Sequence, residues 1–191
     1  MTVYEAIMNR RSIRKFEQKE IAYNTLEKLV DCARMAAYGV NTQPLKFMII
    51  NDEKTRSAVF EHTKWGAMIE NGTPKENERP TAFVAVFGDR NIKANGSFDV
   101  EAGAAITSMM LAAVEEGLAS CWLGAINRKA IKEIIYNSDD MELLFLLALG
   151  YPAQKSVAVE IQNGDTKYYM GDDNILRVPK RSLDEVIIKQ K

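Results

Sequence analysis

Residues 102–114, AGAAITSMMLAAV, run for several helical turns without offering a polar face. A helix that is apolar all round has to be buried on all sides. In a chain of 191 residues that burial is difficult to supply from one copy alone, so the helix, expected over about residues 98–116, is placed at the core of a dimer. Ser97 stands at its start as a cap and Gly117 at its end as a stop.

The other elements are arranged around that helix. Thr2 and Glu5 have capping-box spacing and predict a short helix over residues 2–9. Residues 23–37 carry Leu26, Leu29, Val30, Ala33, Ala36 and Ala37 at helical spacing, with Gly39 beyond them. LKFMII (45–50) and TAFVAVFGD (81–89) read as strands, 53–64 as a helix containing His62, and 65–80 as an irregular polar loop expected to be mobile. SCWLGA (120–125) is a short strand, Asn127 caps a helix over 128–137, and MELLFLLALG (141–150) is a central strand apolar on both faces. VAVEIQ and TKYYM flank Asn163-Gly164 and suggest a hairpin with a tight turn, or equally a loose loop at those two residues, while Ser182 and Glu185 open a terminal helix, SLDEVIIKQ. Strands and helices alternate, so the class is α/β or mixed α+β around a sheet, with residues 1–191 in one domain.

Several functions lack their usual parts. The net charge of −1 gives no general attraction to nucleic acid or membrane. No run reaches the length of a membrane span, and no apolar signal region opens the chain, so a cytoplasmic protein is expected. Cys32 and Cys121 are far apart in apolar settings, which suits buried thiols. The sole histidine, His62, has no neighbouring ligand or nucleophile, so a metal site or a Ser-His-Asp triad is not expected, and a surface position is. Neither a dinucleotide fingerprint nor a phosphate loop is present.

One concentration of charge remains. RRSIRKF (10–16) holds four cations and a hydroxyl. If it runs extended, Arg10, Ser12 and Arg14 share one side. Arg177, Lys180 and Arg181 form a second cluster near the other end of the chain. The two clusters either converge on a phosphate or are solvated faces, and composition alone favours the solvated faces.

The order of the segments adds to this. RRSIRKF after a first helix, NTQP (41–44) after the second, GLASCWLGA after the apolar helix, GYP (150–152) and VPKRSLDEVI near the end resemble the nitroreductase family of flavin-dependent oxidoreductases, and do so across nearly the whole chain. The resemblance implies a mixed α+β fold, a mostly antiparallel central sheet flanked by helices, and an intertwined homodimer with FMN at its interface. It implies that Arg10, Ser12 and Arg14 contact the phosphate and ribityl chain, that Lys180 and Arg181 supply a C-terminal phosphate contact, and that Arg11 lies near the ring edge. Asn41 and Gln43 match amides that the partner subunit offers to FMN. Trp122, Leu123, Gly124 and Ala125 match the strand end that approaches the ring, with the small residue at 124 letting its N–H reach flavin N5. Trp122 is read equally as a core aromatic or a stacking one.

The implied chemistry is ping-pong hydride transfer from NADH or NADPH, through FMN, to a nitroaromatic or quinone-type small-molecule acceptor. The flavin N5 carries the chemistry, and no side chain is a catalytic acid or metal ligand. Neither nucleic acid nor membrane is a partner. Specialised branches (dehalogenation, enone reduction, flavin fragmentation) and a non-catalytic FMN-binding or delivery protein are the alternatives. Ala37-Tyr38-Gly39 and Leu45 depart from the family pattern, which leaves substrate identity and the role of Tyr38 open.

Overall fold

The computed structural model describes residues 1–70 and 72–188. Its elements are α1 (Val3–Asn9), β1 (Phe16–Glu17), α2 (Tyr23–Arg34), β2 (Leu45–Ile50), α3 (Glu53–Phe60), β3 (Ala82–Asp89), α4 (Asp99–Glu115), β4 (Ala119–Leu123), α5 (Arg128–Ile135), β5 (Met141–Pro152), β6 (Ser156–Glu160), β7 (Tyr169–Met170), β8 (Leu176–Lys180) and α6 (Leu183–Val186). β5 is central as expected: it pairs antiparallel with β3 along most of its length, with β4 on its other edge, and with the short β1 near its end. β2 pairs antiparallel with β3 and closes the sheet on that side.

The period of two along β3 sorts the core. Ala82, Val84 and Val86 face α2 and α4, where Leu26, Leu29, Ala33, Phe98, Ile106 and Met109 pack. Phe83, Ala85 and Phe87 face α3 and α5, against Val59, Phe60 and Ile131. Helices thus cover both faces of an antiparallel sheet. The pairing of β3 with β5 skips from Val86–Phe145 to Phe87–Leu143, so Leu144 is an extra residue in a β-bulge. Gly150 is required where it stands, because a Cβ there would lie 2.7 Å from the Phe16 ring.

Local signals set most helix ends. Thr2 Oγ1 accepts from the Glu5 N–H at 3.2 Å while Glu5 Oε2 accepts from the Thr2 N–H at 2.7 Å, and Asn127 and Ser182 cap α5 and α6 in the expected way. α4 is capped by Phe98 rather than Ser97, whose hydroxyl accepts from the Asp99 N–H at 3.0 Å. At its far end Gly117 takes a φ of +70°, and the Gly117 and Leu118 N–H groups donate to the Val114 and Ala113 carbonyls at 3.1 and 2.8 Å. α2 stops at Arg34, short of the expected Ala37, where Tyr38 folds back onto the core and donates to the Ala33 carbonyl at 3.3 Å. α3 likewise ends at Phe60, so His62 is not helical. α6 is one turn, Leu183–Val186, and the end of the expected SLDEVIIKQ helix lies outside the described residues.

The C-terminal pairing differs from the expected hairpin. Asn163 and Gly164 do make a tight turn, with φ of 52° and 74° and the Asp165 N–H donating to the Gln162 carbonyl at 3.0 Å. The flanking strands do not pair with each other: β6 runs parallel to β8, and β7 pairs antiparallel with β8. Turn chemistry specifies only the turn, and β8 brings the fully buried Leu176 that both neighbours collect around.

Candidate functional site

RRSIRKF lies beside the strand whose end was singled out. Ser12 forms a parallel bridge with Ser120, and the Ile13 N–H donates to the Ser120 carbonyl at 3.0 Å. The two motifs, remote in sequence, therefore run side by side in the same direction. Arg14 is held by its backbone, whose N–H donates to Gln154 Oε1 at 3.2 Å, and its guanidinium stacks 4.7 Å over the Tyr168 ring. Cys121 sits beneath this segment; burial pushes its thiol up and the Arg14 charge draws it partly back.

The cations divide by occupancy. Lys15 pairs with Glu78 at 3.0 Å, Arg177 makes two bonds to Asp173 at 2.7 and 2.8 Å, and Arg181 pairs with Glu185 at 3.2 Å. Arg11 turns back toward α1 and donates to the Met8 carbonyl at 2.8 Å. Among the described residues the side chains of Arg10, Arg14 and Lys180 have no carboxylate partner. With Arg11, which bonds only carbonyls, four cations of the two clusters have no carboxylate beside them, the condition an anion site requires.

β4 ends at Leu123 and leads into Gly124 and Ala125. Nothing in the fold requires glycine at 124: a Cβ there would sit at an ordinary 3.6 Å from the Phe145 ring, and the backbone is not left-handed. Leu123 is core. Trp122 faces the other way, 36% exposed, with its ring edge-on to Phe145 at 5.1 Å and above Gly103 of α4. Residues 62–64 are laced to 125–127: the Lys64 N–H donates to the Ala125 carbonyl and the Asn127 N–H to the His62 carbonyl, both at 2.9 Å, around a Thr63–Ile126 bridge. A cavity of about 620 Å³ opens between these two loops, with Gly124 and Ala125 in its wall. No local pattern signals it, since neither loop forms it alone, and half-buried His62 lines it rather than standing on a surface helix.

A second cavity of about 550 Å³ lies between Arg14, Lys15 and Gln154 and the loop after Trp65. That loop, expected to be free, is tied down at both ends. Trp65 is buried, its Nε1–H donating to Thr63 Oγ1 at 2.7 Å. Glu78 holds Lys15, and the Arg79 carbonyl accepts from Gln18 at 2.9 Å.

Asn41 and Gln43 are exposed on the loop before β2. β2 is separated from β4 by β3 and β5, so within one chain these amides stand roughly 14 Å from the β4 edge, three strand spacings away. The loop is strained: Val40, Asn41 and Gln43 have φ of 51°, 54° and 49°, and Val40, a β-branched residue 99% exposed, has no burial to offset it. Lys180 ends β8 and Arg181 follows it, and among the described residues no hydrogen bond or ion pair joins either to Arg10–Arg14. One chain therefore sets Arg10, Ser12 and Arg14 beside β4 at Ser120, four residues before Gly124, and leaves Asn41 and Gln43 apart. Among the described residues no helix is long and apolar enough to cross a membrane, and no cluster of acidic, cysteine and histidine side chains is placed to hold a metal ion.

A model of the nitroreductase family matches residues 7–151. A protein of Archaeoglobus fulgidus, provisionally named NADH dehydrogenase/NAD(P)H nitroreductase, is 28% identical over 153 residues, covering 76% of this chain and 83% of that one. A protein of the same provisional name from Methanothermobacter thermautotrophicus is 25% identical over 158 residues, covering 81% and 79%. Among solved structures, a provisionally assigned nitroreductase from Desulfovibrio desulfuricans in complex with FMN superposes with a TM-score of 0.73 at 23% identity, covering 100% of this chain and 98% of the other. A nitroreductase family protein from Clostridium difficile gives 0.71 at 23% identity, covering 100% and 99%.

Proposed function

The chain belongs to the nitroreductase family, and from that premise we propose that it is an FMN-dependent oxidoreductase that draws electrons from NAD(P)H and delivers them to a nitroaromatic or quinone-type acceptor. The observation that carries the reading is the Ser12–Ser120 bridge, which sets Arg10 and Arg14, both without a carboxylate partner, beside β4, the strand that leads into Gly124. The residues present fit the group. Cations without a counter-ion suit a phosphate, and a glycine that the fold itself does not require leaves the backbone N–H accessible to a flat ring.

When bound, FMN supplies a ring that takes up and returns two electrons with a hydride. Arg10 and Ser12 would hold its phosphate and Arg14 its ribityl chain, with Lys180 and Arg181 as a further phosphate contact. Arg181 is exposed and its bond to Glu185 is weak enough to exchange. Arg11 stays with the α1 carbonyls. The backbone of Trp122–Ala125 would line the ring edge, where N–H dipoles and nearby cations favour negative charge on the ring. No carboxylate or histidine is needed as an acid if water supplies protons.

A homodimer completes the site. Asn41 and Gln43 are too far from β4 to serve their own chain's ring, yet their strained backbone is preserved in an exposed loop, as expected of a segment shaped for a ligand in the other subunit. α4 carries an open stripe, with Val100 84% exposed and Leu111 half-buried, beside exposed Val3, Tyr4, Ile7 and Met8 of α1. The test is FMN titration followed by fluorescence. Arg10→Ala should weaken binding by about 1.5–3 kcal/mol for a lost bond to a charged phosphate, and unchanged affinity removes Arg10 from the site.

A further inference from the structure

The cavity beside Gly124 is lined by two cations, Lys64 and Arg128, and one carboxylate, Glu61. Arg128 is fixed there: its Nε and Nη2 donate to the Leu144 carbonyl at 3.2 and 2.9 Å, and Nη2 also reaches the Gly124 carbonyl at 3.3 Å. The Leu144 acceptor lies in the β5 bulge, so the bulge aims this side chain. Arg128 Nη1 and the Lys64 ammonium make no hydrogen bond or ion pair among the described residues. Glu61, the carboxylate in the lining, is already taken by Arg79 at 3.0 Å. His62 adds an imidazole. The cavity therefore presents two full positive charges with no free internal counter-ion, and its size suits part of a nucleotide better than a single carboxylate.

We infer that this cavity receives the phosphate groups of the nucleotide electron donor, with Lys64 and Arg128 as their contacts. The inference rests on the oxidoreductase reading, in which Gly124 marks the reactive edge. Nitroaromatic and quinone-type acceptors are uncharged where they react, whereas the donor carries a diphosphate one ribose away from its nicotinamide. Arg128 donates to the Gly124 carbonyl at 3.3 Å, so the cavity and its cations adjoin the edge on which the nicotinamide would rest. Attraction between exposed cations and a diphosphate is screened by salt, so donor affinity should fall as ionic strength rises.

The test is calorimetric titration of FMN-supplemented protein with ADP-ribose, which has the diphosphate but no nicotinamide and cannot reduce flavin. Lys64 is exposed and holds no other side chain, so Lys64→Ala should fold normally. It should bind ADP-ribose roughly tenfold more weakly, with a matching rise in the KM for NAD(P)H and none in the KM for the acceptor. Lys64→Arg should restore binding. Undiminished ADP-ribose affinity in Lys64→Ala overturns the inference, as does a change confined to the acceptor's KM or to FMN retention. A visible spectrum of each sample keeps the two readings apart. If wild-type protein takes up no flavin, the oxidoreductase reading fails, and Lys64-dependent binding of ADP-ribose to that same protein still upholds the cavity as a phosphate site, while its absence rejects it.

Discussion

Gly124 separates what the fold needs from what the chemistry needs. Gly150 is fixed by Phe16, whereas a Cβ at 124 has room. Gly124→Leu should accordingly fold and keep FMN, because the phosphate contacts lie elsewhere, yet slow reduction of the flavin by NAD(P)H at least about tenfold, some 1.4 kcal/mol of barrier. Stopped-flow absorbance checks this, and wild-type reduction rates in the variant would mean the backbone at 124 does not approach the ring. At this scale the charges of RRSIRKF were legible in the sequence, but their availability was not. Lys15 is silenced by Glu78 and Arg177 by Asp173, and the first of these pairs links residues far apart in the chain. Arg11 was legible as a cation and is spent on α1 carbonyls, a partner that a window of seven residues does not reveal.

Elements were legible where their signals are local. Thr2 with Glu5, Asn127, and Ser182 with Glu185 cap helices as their spacing predicts, because each bond closes within one turn. Pairing between distant segments was not legible. Asn163-Gly164 makes its turn but leaves the strands around it to β8, and the bulge at Leu144 arises from the register of two strands rather than from any residue type. The first turn of α4 offers a test of an element's own electrostatics. Lys93, itself half-buried, bonds the buried Glu101 at 2.7 Å, and that bond holds the Glu101 carboxyl below its ordinary value. A carboxyl lowered in the folded state adds stability that is fully present above its ordinary value of 4.5 and is lost as pH falls through the lower folded value. Thermal unfolding of Glu101→Gln should therefore lose less stability than wild type as pH falls below that point. Identical acid-side slopes would show that the pair contributes nothing to folding.

At the scale of the molecule, the apolar helix is where the proposed dimer is tested. α4 is buried against α2 and the sheet on one side, and its opposite stripe through Val100 and Leu111 is left open. The proposed homodimer would cover that stripe and bring a partner's amides to β4 in one step. Val100→Glu should convert a dimer to a monomer in light scattering and weaken FMN binding with it, since each site would lose its partner's amides. A monomeric wild-type protein that binds FMN fully would contradict the shared site. The order of the motifs conveyed the architecture, and the 620 Å³ cavity escaped it because two loops remote in sequence have to meet before it exists.

The most direct measurement is the visible absorption spectrum of the protein with FMN under anaerobic conditions, before and after NADH or NADPH. The account predicts a bound flavin spectrum that bleaches promptly with at least one donor and returns when a quinone or nitroaromatic acceptor is added. Flavin that binds but stays oxidised with both donors would contradict the oxidoreductase and leave a carrier, and failure to bind FMN would contradict the site built on Arg10, Ser12 and Arg14.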